Sequence, residues 1–415
     1  MDVATVRWLA SPQGWSALRG LPPYDPATEL AEQVRLRRAG HTPEQAAALL
    51  TQTRLRQRAR GKFGEFADGM LFTSDGLEQA SRLEVAARHA QRYAQASLAT
   101  VHDLGCGIGA DAMALSVLGV TVAAVDADPV TARVADANLR PWPDSRARHG
   151  TAEDFEPPVD PVRDRVGVWL DPARRTPGVA DVSGRTRRVF RLEEMSPPWE
   201  LVQEVARVVP ATGVKLSPSF AHGDQPPATE AQWVSFDGDL LECVVWFGPL
   251  ARRRGRTALV LSSAAPPVQV DETMAAEAPG VPPRLGDLGP WLYEPDRAVT
   301  RAGLLGAVTS ATGGVELEPG LGYVSADRHT DLAFARRFAL HEAMPFNVKS
   351  LRAWLRTRGI TGVTIKKRGM RLDEDLLRRE LRIGRKAGAG EQATIVLTRV
   401  GGQPAVLVVT PDHGR

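Results

Sequence analysis

Asp103-Leu104-Gly105-Cys106-Gly107-Ile108-Gly109 follows an apolar run and precedes an Ala/Met/Leu-rich stretch. The order predicts a strand, a glycine-rich turn and the opening of a helix. Glycines are needed in such a turn because a cofactor lies against bare backbone, where a side chain would block it. The string also satisfies Gly-x-Gly-x-x-Ala through Gly105, Gly107 and Ala110, so by itself it leaves a dinucleotide such as NAD as one possible occupant.

Neighbouring acids narrow the choice. Asp103 ends the first strand two residues before the first glycine, where a cationic amino-acid group would sit. The next strand, Val120 to Val125, ends in Asp126, with Asp128 two further on. An acid at that place accepts ribose hydroxyls. Gly150-Thr151-Ala152-Glu153-Asp154-Phe155 adds a third acidic point, suited to an adenine amino group. This series resembles the class I S-adenosylmethionine (SAM) methyltransferases. The resemblance implies that Gly105, Gly107 and Gly109 give backbone access, while Asp103 faces the methionine amine. Asp126, or Asp128 in its place, then holds the ribose, and Asp154 the adenine. The competing readings are a Gly-rich turn without a ligand and an NAD-dependent oxidoreductase. For the latter no Tyr-x-x-x-Lys or comparable hydride-handling set stands out.

Asp171-Pro172-Ala173-Arg174-Arg175 follows the apolar run Val166-Gly167-Val168-Trp169-Leu170, at the carboxyl end of another strand. Open α/β sheets place their ligands there. The Asp-Pro start resembles the Asp/Asn-Pro-Pro-aromatic motif of amino methyltransferases, with Ala173 for the second proline and Arg174 for the aromatic. In such a site Asp171 and the Pro172 carbonyl accept the two N–H bonds of a planar nitrogen and aim its lone pair at the methyl group. Orientation supplies most of the catalysis. Arg174 and Arg175 suit a phosphate or carboxylate clamp. The plainer alternative has Asp171 capping a turn and the arginines solvated. Lys215 and Ser217, at the end of a strand over Gly213–Leu216, are further candidates for lining the acceptor pocket, with a structural lysine equally expected.

Taken together, these motifs resemble a bacterial group of SAM methyltransferase-like proteins with a ferredoxin-like segment and a C-terminal THUMP-like domain. THUMP domains proper bind RNA in tRNA-modifying enzymes. Phe72-Thr73-Ser74-Asp75-Gly76-Leu77-Glu78-Gln79-Ala80-Ser81 is also similar to the approach segment of cap-trimethylguanosine synthases. The implied fold class is α/β: a Rossmann-like SAM methyltransferase sheet with an N-terminal helical region and a C-terminal α+β THUMP-like domain. The expected parts are helical residues 1–75, a catalytic domain over 76–265, a linker and short ferredoxin-like segment over 266–330, and a basic THUMP-like domain over 331–415.

Charge is uneven along the chain. Residues 330–415 hold 17 Lys and Arg against 8 Asp and Glu, a balance of +9, whereas the whole chain carries +3 and residues 1–329 therefore −6. That asymmetry points the tail at a polyanion, RNA on the family resemblance. Its clusters are Arg352, Arg356 and Arg358 on a helix, then Lys366, Lys367 and Arg368 on a strand, then Arg378, Arg379, Arg382, Arg385 and Lys386. The tail's pattern is β-α-β-α-β-β, with a hairpin turning at Gly401-Gly402. A second basic stretch, Arg35 to Lys62, is either another RNA-facing surface or a polar helix face.

Absences point the same way. No apolar run approaches membrane-spanning length and no export leader is evident, so a cytoplasmic location without membrane contact is expected. Cys106 and Cys243 lack zinc-like spacing, the histidines lack ligand spacing, and no metal is expected. The expected activity is SAM-dependent methyl transfer to a nitrogen of an RNA nucleobase. A protein or small-molecule methyltransferase, and a non-catalytic SAM-fold RNA-binding protein, are the alternatives.

Overall fold

The computed structural model describes residues 1–174, 192, 195–275, 280–383 and 391–412. The chain divides into two compact units, one of residues 1–219, 226–229 and 245–252, the other of residues 220–225, 230–244 and 253–415.

In the first unit, α1 (Val3–Leu9), α2 (Pro12–Arg19), α3 (Glu29–Arg38) and α4 (Pro43–Phe63) form the N-terminal helical region. Thr42 starts α4 through a capping box with Gln45, followed by Pro43 in the first turn. The expected single helix near 78–95 is two helices, α5 (Ser74–Gln79) and α6 (Leu83–Gln95), separated at the extended Ala80. Five parallel strands follow: β1 (Thr100–Leu104), β2 (Thr121–Asp126), β3 (Arg146–His149), β4 (Val166–Leu170) and β7 (Thr212–Leu216). The short β5 (Ala173–Arg174) and β6 (Met195–Ser196) pair with each other. The crossover helices are α7 (Ala110–Val117), α8 (Pro129–Asn138) and α9 (Trp199–Val208).

The strand order is β7-β4-β1-β2-β3. The chain steps one way from β1 through β2 to β3, then starts again on the other side of β1 with β4. This reversal opens a crevice at the carboxyl ends of β1 and β4, the place where doubly wound sheets bind ligands. Strand β4 is buried along its whole length, as its continuous apolar run requires.

The second unit contains β8 (Glu230–Phe236), most of β9 (Asp239–Trp246), β10 (Gly255–Leu261) and β11 (Val268–Asp271). The β8–β9 turn is the expected one at Asp237-Gly238, both with positive φ. Strand β10 runs parallel to β8 and is not the last strand: β11 pairs antiparallel with it, inside the Pro/Ala-rich stretch expected to be irregular.

A seven-stranded sheet of order β13-β14-β12-β15-β18-β17-β16 completes this unit. It combines β12 (Trp291–Pro295), β13 (Val315–Glu316) and β14 (Val324–Ala326) with β15 (Ala335–Pro345), β16 (Ile360–Lys367), β17 (Glu391–Val400) and β18 (Gln403–Asp412). The helices are α10 (Arg297–Arg301), α11 (Gly306–Thr312), α12 (Val348–Thr357) and α13 (Glu374–Leu381). The tail's β-α-β-α-β-β order is as expected, with Asn347 and Asp373 capping its two helices. Leu292 and Tyr293 are fully buried core residues.

Candidate active site

The Gly-rich turn leaves the end of β1, with Gly105, Gly107 and Gly109 all in the left-handed region of φ. Two of them answer different needs. A Cβ on Gly105 would stand 2.8 Å from the Asp171 carbonyl oxygen, so the turn can pass the end of β4 only without a side chain. A Cβ on Gly107 would meet nothing within 4 Å, which leaves its face of the turn open.

Asp103 is the least comfortable residue in this region. It has no exposed surface, and neither carboxylate oxygen has a hydrogen-bond partner. Burial pushes its carboxyl well above the usual carboxylate range, and the nearby Asp111, Asp171 and Asp126 push the same way. A buried acid held in this way favours its neutral form until a cationic group joins it.

Asp126 ends β2 as expected. Its Oδ2 accepts from the Gly107 N–H at 2.9 Å and its Oδ1 from the Asp128 N–H at 2.9 Å. Burial raises its carboxyl despite these two donors. An ionised carboxylate has about four acceptor positions, so two remain for hydroxyl donors. Asp128 is engaged differently. Its Oδ2 accepts from the Thr131 N–H at 2.8 Å and hydroxyl at 2.6 Å, capping α8. Asp154 is exposed, and its Oδ2 takes the Thr151 N–H and hydroxyl at 3.1 and 2.8 Å. Those bonds hold its carboxyl below the usual range.

On the other side of the crevice, Asp171 ends β4 and pairs with Lys215 of β7, Nζ to Oδ2 at 2.6 Å. Lys215, the lesser candidate in sequence, is thus a direct partner of the expected acceptor-binding acid. Arg174 lies in β5, its backbone paired with Met195. Arg175 falls outside the described residues.

Residues the sequence did not single out lie just behind the turn. Asp111, in the first turn of α7, accepts from the Ser81 hydroxyl at 2.8 Å and stands 2.7 Å from His89 Nδ1, all three side chains being buried. Burial alone would raise the Asp111 carboxyl, but His89, Lys215 and Ser81 together hold it below the usual range. His89 lies against Trp169, ring centres 4.5 Å apart. His102 packs on Phe155 and is not part of this group.

The expected substrate-binding cluster in the tail is occupied by the chain itself. Lys366 pairs with Glu294, Arg368 reaches the same carboxylate at 3.7 Å and the Gly322 carbonyl at 2.9 Å, and Lys367 donates to the Leu372 carbonyl at 2.6 Å. Exposed cations lie elsewhere, with Lys349, Arg352 and Arg356 along one side of α12. The Arg35–Lys62 stretch is also largely engaged. Arg56 is buried against Trp15 and donates to the Met70 carbonyl, and Arg60 pairs with Asp68.

Comparison with known proteins decides the family. Over 377 residues the chain is 31% identical to an uncharacterized S-adenosylmethionine-dependent methyltransferase of Mycobacterium tuberculosis, matched equally in strains CDC 1551 and H37Rv. The match covers 86% of this chain and 94% of the relative. The chain belongs to the S-adenosylmethionine-dependent methyltransferases. A crystal structure from Porphyromonas gingivalis W83, of a protein assigned provisionally to the methyltransferases, superposes with a TM-score of 0.71 at 19% identity. It covers 94% of this chain and 100% of that one, and so shares the fold. The model of a THUMP domain-like family matches residues 335–411, and that of a domain of unknown function matches residues 2–59.

The cofactor of this methyltransferase is therefore SAM, and the residues at the end of β1 fit it. Asp103 offers a partnerless buried carboxylate for an ammonium group, and Gly107 leaves an unfilled cradle. Both cysteines are free and buried. Among the described residues no helix is long and apolar enough to cross a membrane, and no group of His, Cys, Asp and Glu is arranged to hold a metal.

Proposed function

We propose that this methyltransferase acts on a nitrogen of an RNA nucleobase. The observation that carries the reading is the contact between the end of β4 and the cofactor turn. Gly105 leaves room for the Asp171 carbonyl, so the Asp-Pro segment borders the turn where SAM would lie. SAM, when bound, supplies a methyl group activated by its sulfonium. The chain's own residues then have orienting roles. Asp171 and the Pro172 carbonyl accept the N–H bonds of a planar amine and direct its lone pair. Lys215 fixes Oδ2 of Asp171 by an ion pair, which orients the carboxylate as an acceptor. Asp103 would take the methionine amine, Asp126 the ribose hydroxyls and Asp154 the adenine amine.

RNA as the acceptor draws on the tail. The THUMP-like residues 335–411 carry the chain's excess of positive charge. Lys349, Arg352 and Arg356 stand three and four residues apart on α12, which puts them on one exposed helix face. Such a row suits the phosphate backbone of a polyanion.

The test is transfer of tritiated methyl from SAM to bulk bacterial RNA, with Asp171→Ala in parallel. The reading requires label in RNA from the wild type and none from the variant, with S-adenosylhomocysteine still bound by both. Label appearing in protein or in small molecules instead would overturn the choice of acceptor.

A further inference from the structure

Residues 70–82 connect the N-terminal helices to the catalytic sheet, and they are fastened to an unusual degree. Three side chains of α4 hold them. Arg56 Nε donates to the Met70 carbonyl at 2.9 Å. Gln52, fully buried, donates to the Phe72 carbonyl at 2.8 Å and accepts from the Phe72 N–H at 3.0 Å. Lys62 Nζ donates to the carbonyls of Leu77, Glu78 and Ala80 at 2.8, 2.7 and 2.9 Å. In return Arg82 donates to the Gly61 carbonyl at 2.7 Å.

The same segment grips the cofactor turn on its other side. A Cβ on Gly76 would stand 2.3 Å from Ile108 Cγ2, so α5 lies directly on the turn. Asn138 of α8 accepts from the Leu71 N–H at 2.7 Å and donates to the carbonyls of Leu71 and Ile108 at 3.0 and 2.9 Å. Ser81 reaches Asp111 just beyond the turn. Ile108 is itself buried in one core with Leu49, Phe63, Phe72 and Leu77.

We infer that residues 70–82 are a strap that positions the Gly-rich turn, and that the N-terminal helical region sets SAM affinity by holding this strap, with Lys62 as its main positioning residue. The inference rests on the turn as the cofactor site and is independent of the RNA acceptor. Lys62 spends all three ammonium protons on carbonyls at the end of α5, groups that the helix itself leaves without donors. Burial, together with Lys215 and Arg82, draws its ammonium down to about 8, with Glu78 acting the other way. Without the clamp, α5 and Ile108 gain freedom that SAM must remove on binding, and affinity falls accordingly.

The test uses the full chain with Lys62→Met, Lys62→Arg and, as a control, Arg60→Ala, whose partner Asp68 is at the surface. Calorimetry gives the S-adenosylhomocysteine affinity, and hydrogen exchange follows the amides of residues 105–109 without ligand. Lys62→Met is expected to weaken binding by about tenfold and to speed exchange in the turn, while melting stays cooperative. Lys62→Arg should recover most of the loss, and Arg60→Ala should match the wild type. Affinity and turn exchange unchanged in Lys62→Met would overturn the inference. Should that variant not fold, Lys62→Gln carries the same two readouts. A wild type that fails to bind S-adenosylhomocysteine would overturn the site assignment instead, and the exchange data would still judge the strap.

Discussion

Asp103→Asn separates a cofactor-binding role from a structural one, because the two roles predict opposite changes. The wild-type carboxyl is wholly buried without a hydrogen-bond partner, beside three other acids. Its folded-state pKa is raised above the unfolded value of 3.8, so the native state keeps a proton that the unfolded state has lost. Stability from this group is therefore present below pH 3.8 and is lost as pH rises from there through the folded-state pKa. Asparagine has nearly the same shape and no charge, so the ligand-free variant should be at least as stable as wild type at neutral pH. Binding should move the other way. Losing one charge-assisted hydrogen bond to the methionine ammonium costs about 1.5–3 kcal/mol, or roughly 10- to 150-fold in Kd. Thermal melting and calorimetric titration with S-adenosylhomocysteine measure both quantities on one preparation. Calorimetry in buffers of different ionisation enthalpy should also show proton release on binding by wild type and not by the variant, at a pH where free Asp103 is protonated. A variant that melts earlier yet binds S-adenosylhomocysteine normally would refute the reasoning.

The paired acids after β2 should divide their labour. Asp126→Ala is expected to weaken S-adenosylhomocysteine by about 1–3 kcal/mol, whereas Asp128→Ala removes a helix cap and should cost about 0.5–2 kcal/mol of stability with a smaller effect on affinity. Calorimetry and denaturant titration of the two variants decide this, and equal losses of affinity would move the ribose contact to Asp128. Lys215→Met should slow methyl transfer while leaving S-adenosylhomocysteine affinity nearly unchanged, since it removes the ion-pair partner of Asp171; a loss confined to cofactor binding would count against that role. Replacing Lys349, Arg352 and Arg356 together by Ala should weaken RNA binding and flatten its salt dependence by about two in the log–log slope. Lys366→Ala should instead lower the melting temperature and leave the salt slope alone, because its partner is Glu294. Deleting residues 331–415 would not serve this purpose, since β15 pairs with β12 and its loss opens the sheet.

The geometry of the Gly-rich turn was legible because it is backbone geometry. A turn that must pass the Asp171 carbonyl and leave an open face has to be written with glycines at fixed spacing, and that spacing survives in the sequence. Strand-end acids are similarly visible, since a carboxylate after an apolar run stands out. The sequence does not say which of two such acids is already spent. Asp126 and Asp128 look alike in a string, and only the Thr131 bonds mark Asp128 as the cap. The Ser81–Asp111–His89 group was invisible for a related reason: its members are 8 and 22 residues apart along the chain, on α6, α7 and the segment before α6, which no local pattern brings together.

Charge misled in a more instructive way. Counting side chains treats every lysine and arginine as available to a partner, but availability depends on the acids that folding brings near. Lys366 and Arg368 share Glu294, a residue more than seventy positions earlier and outside the basic tail, so a count over 330–415 includes both as unbalanced when one of the two charges is balanced. The same holds for Lys62, which is basic in the sequence and fully spent on carbonyls in the fold. What the count does not reveal is spacing on an exposed face. Lys349, Arg352 and Arg356 recur at helical intervals on a helix whose other side buries Leu351 and Leu355, so the fold itself turns these three outward. An electrostatic argument for RNA is therefore stronger from three positions on α12 than from the whole excess of nine.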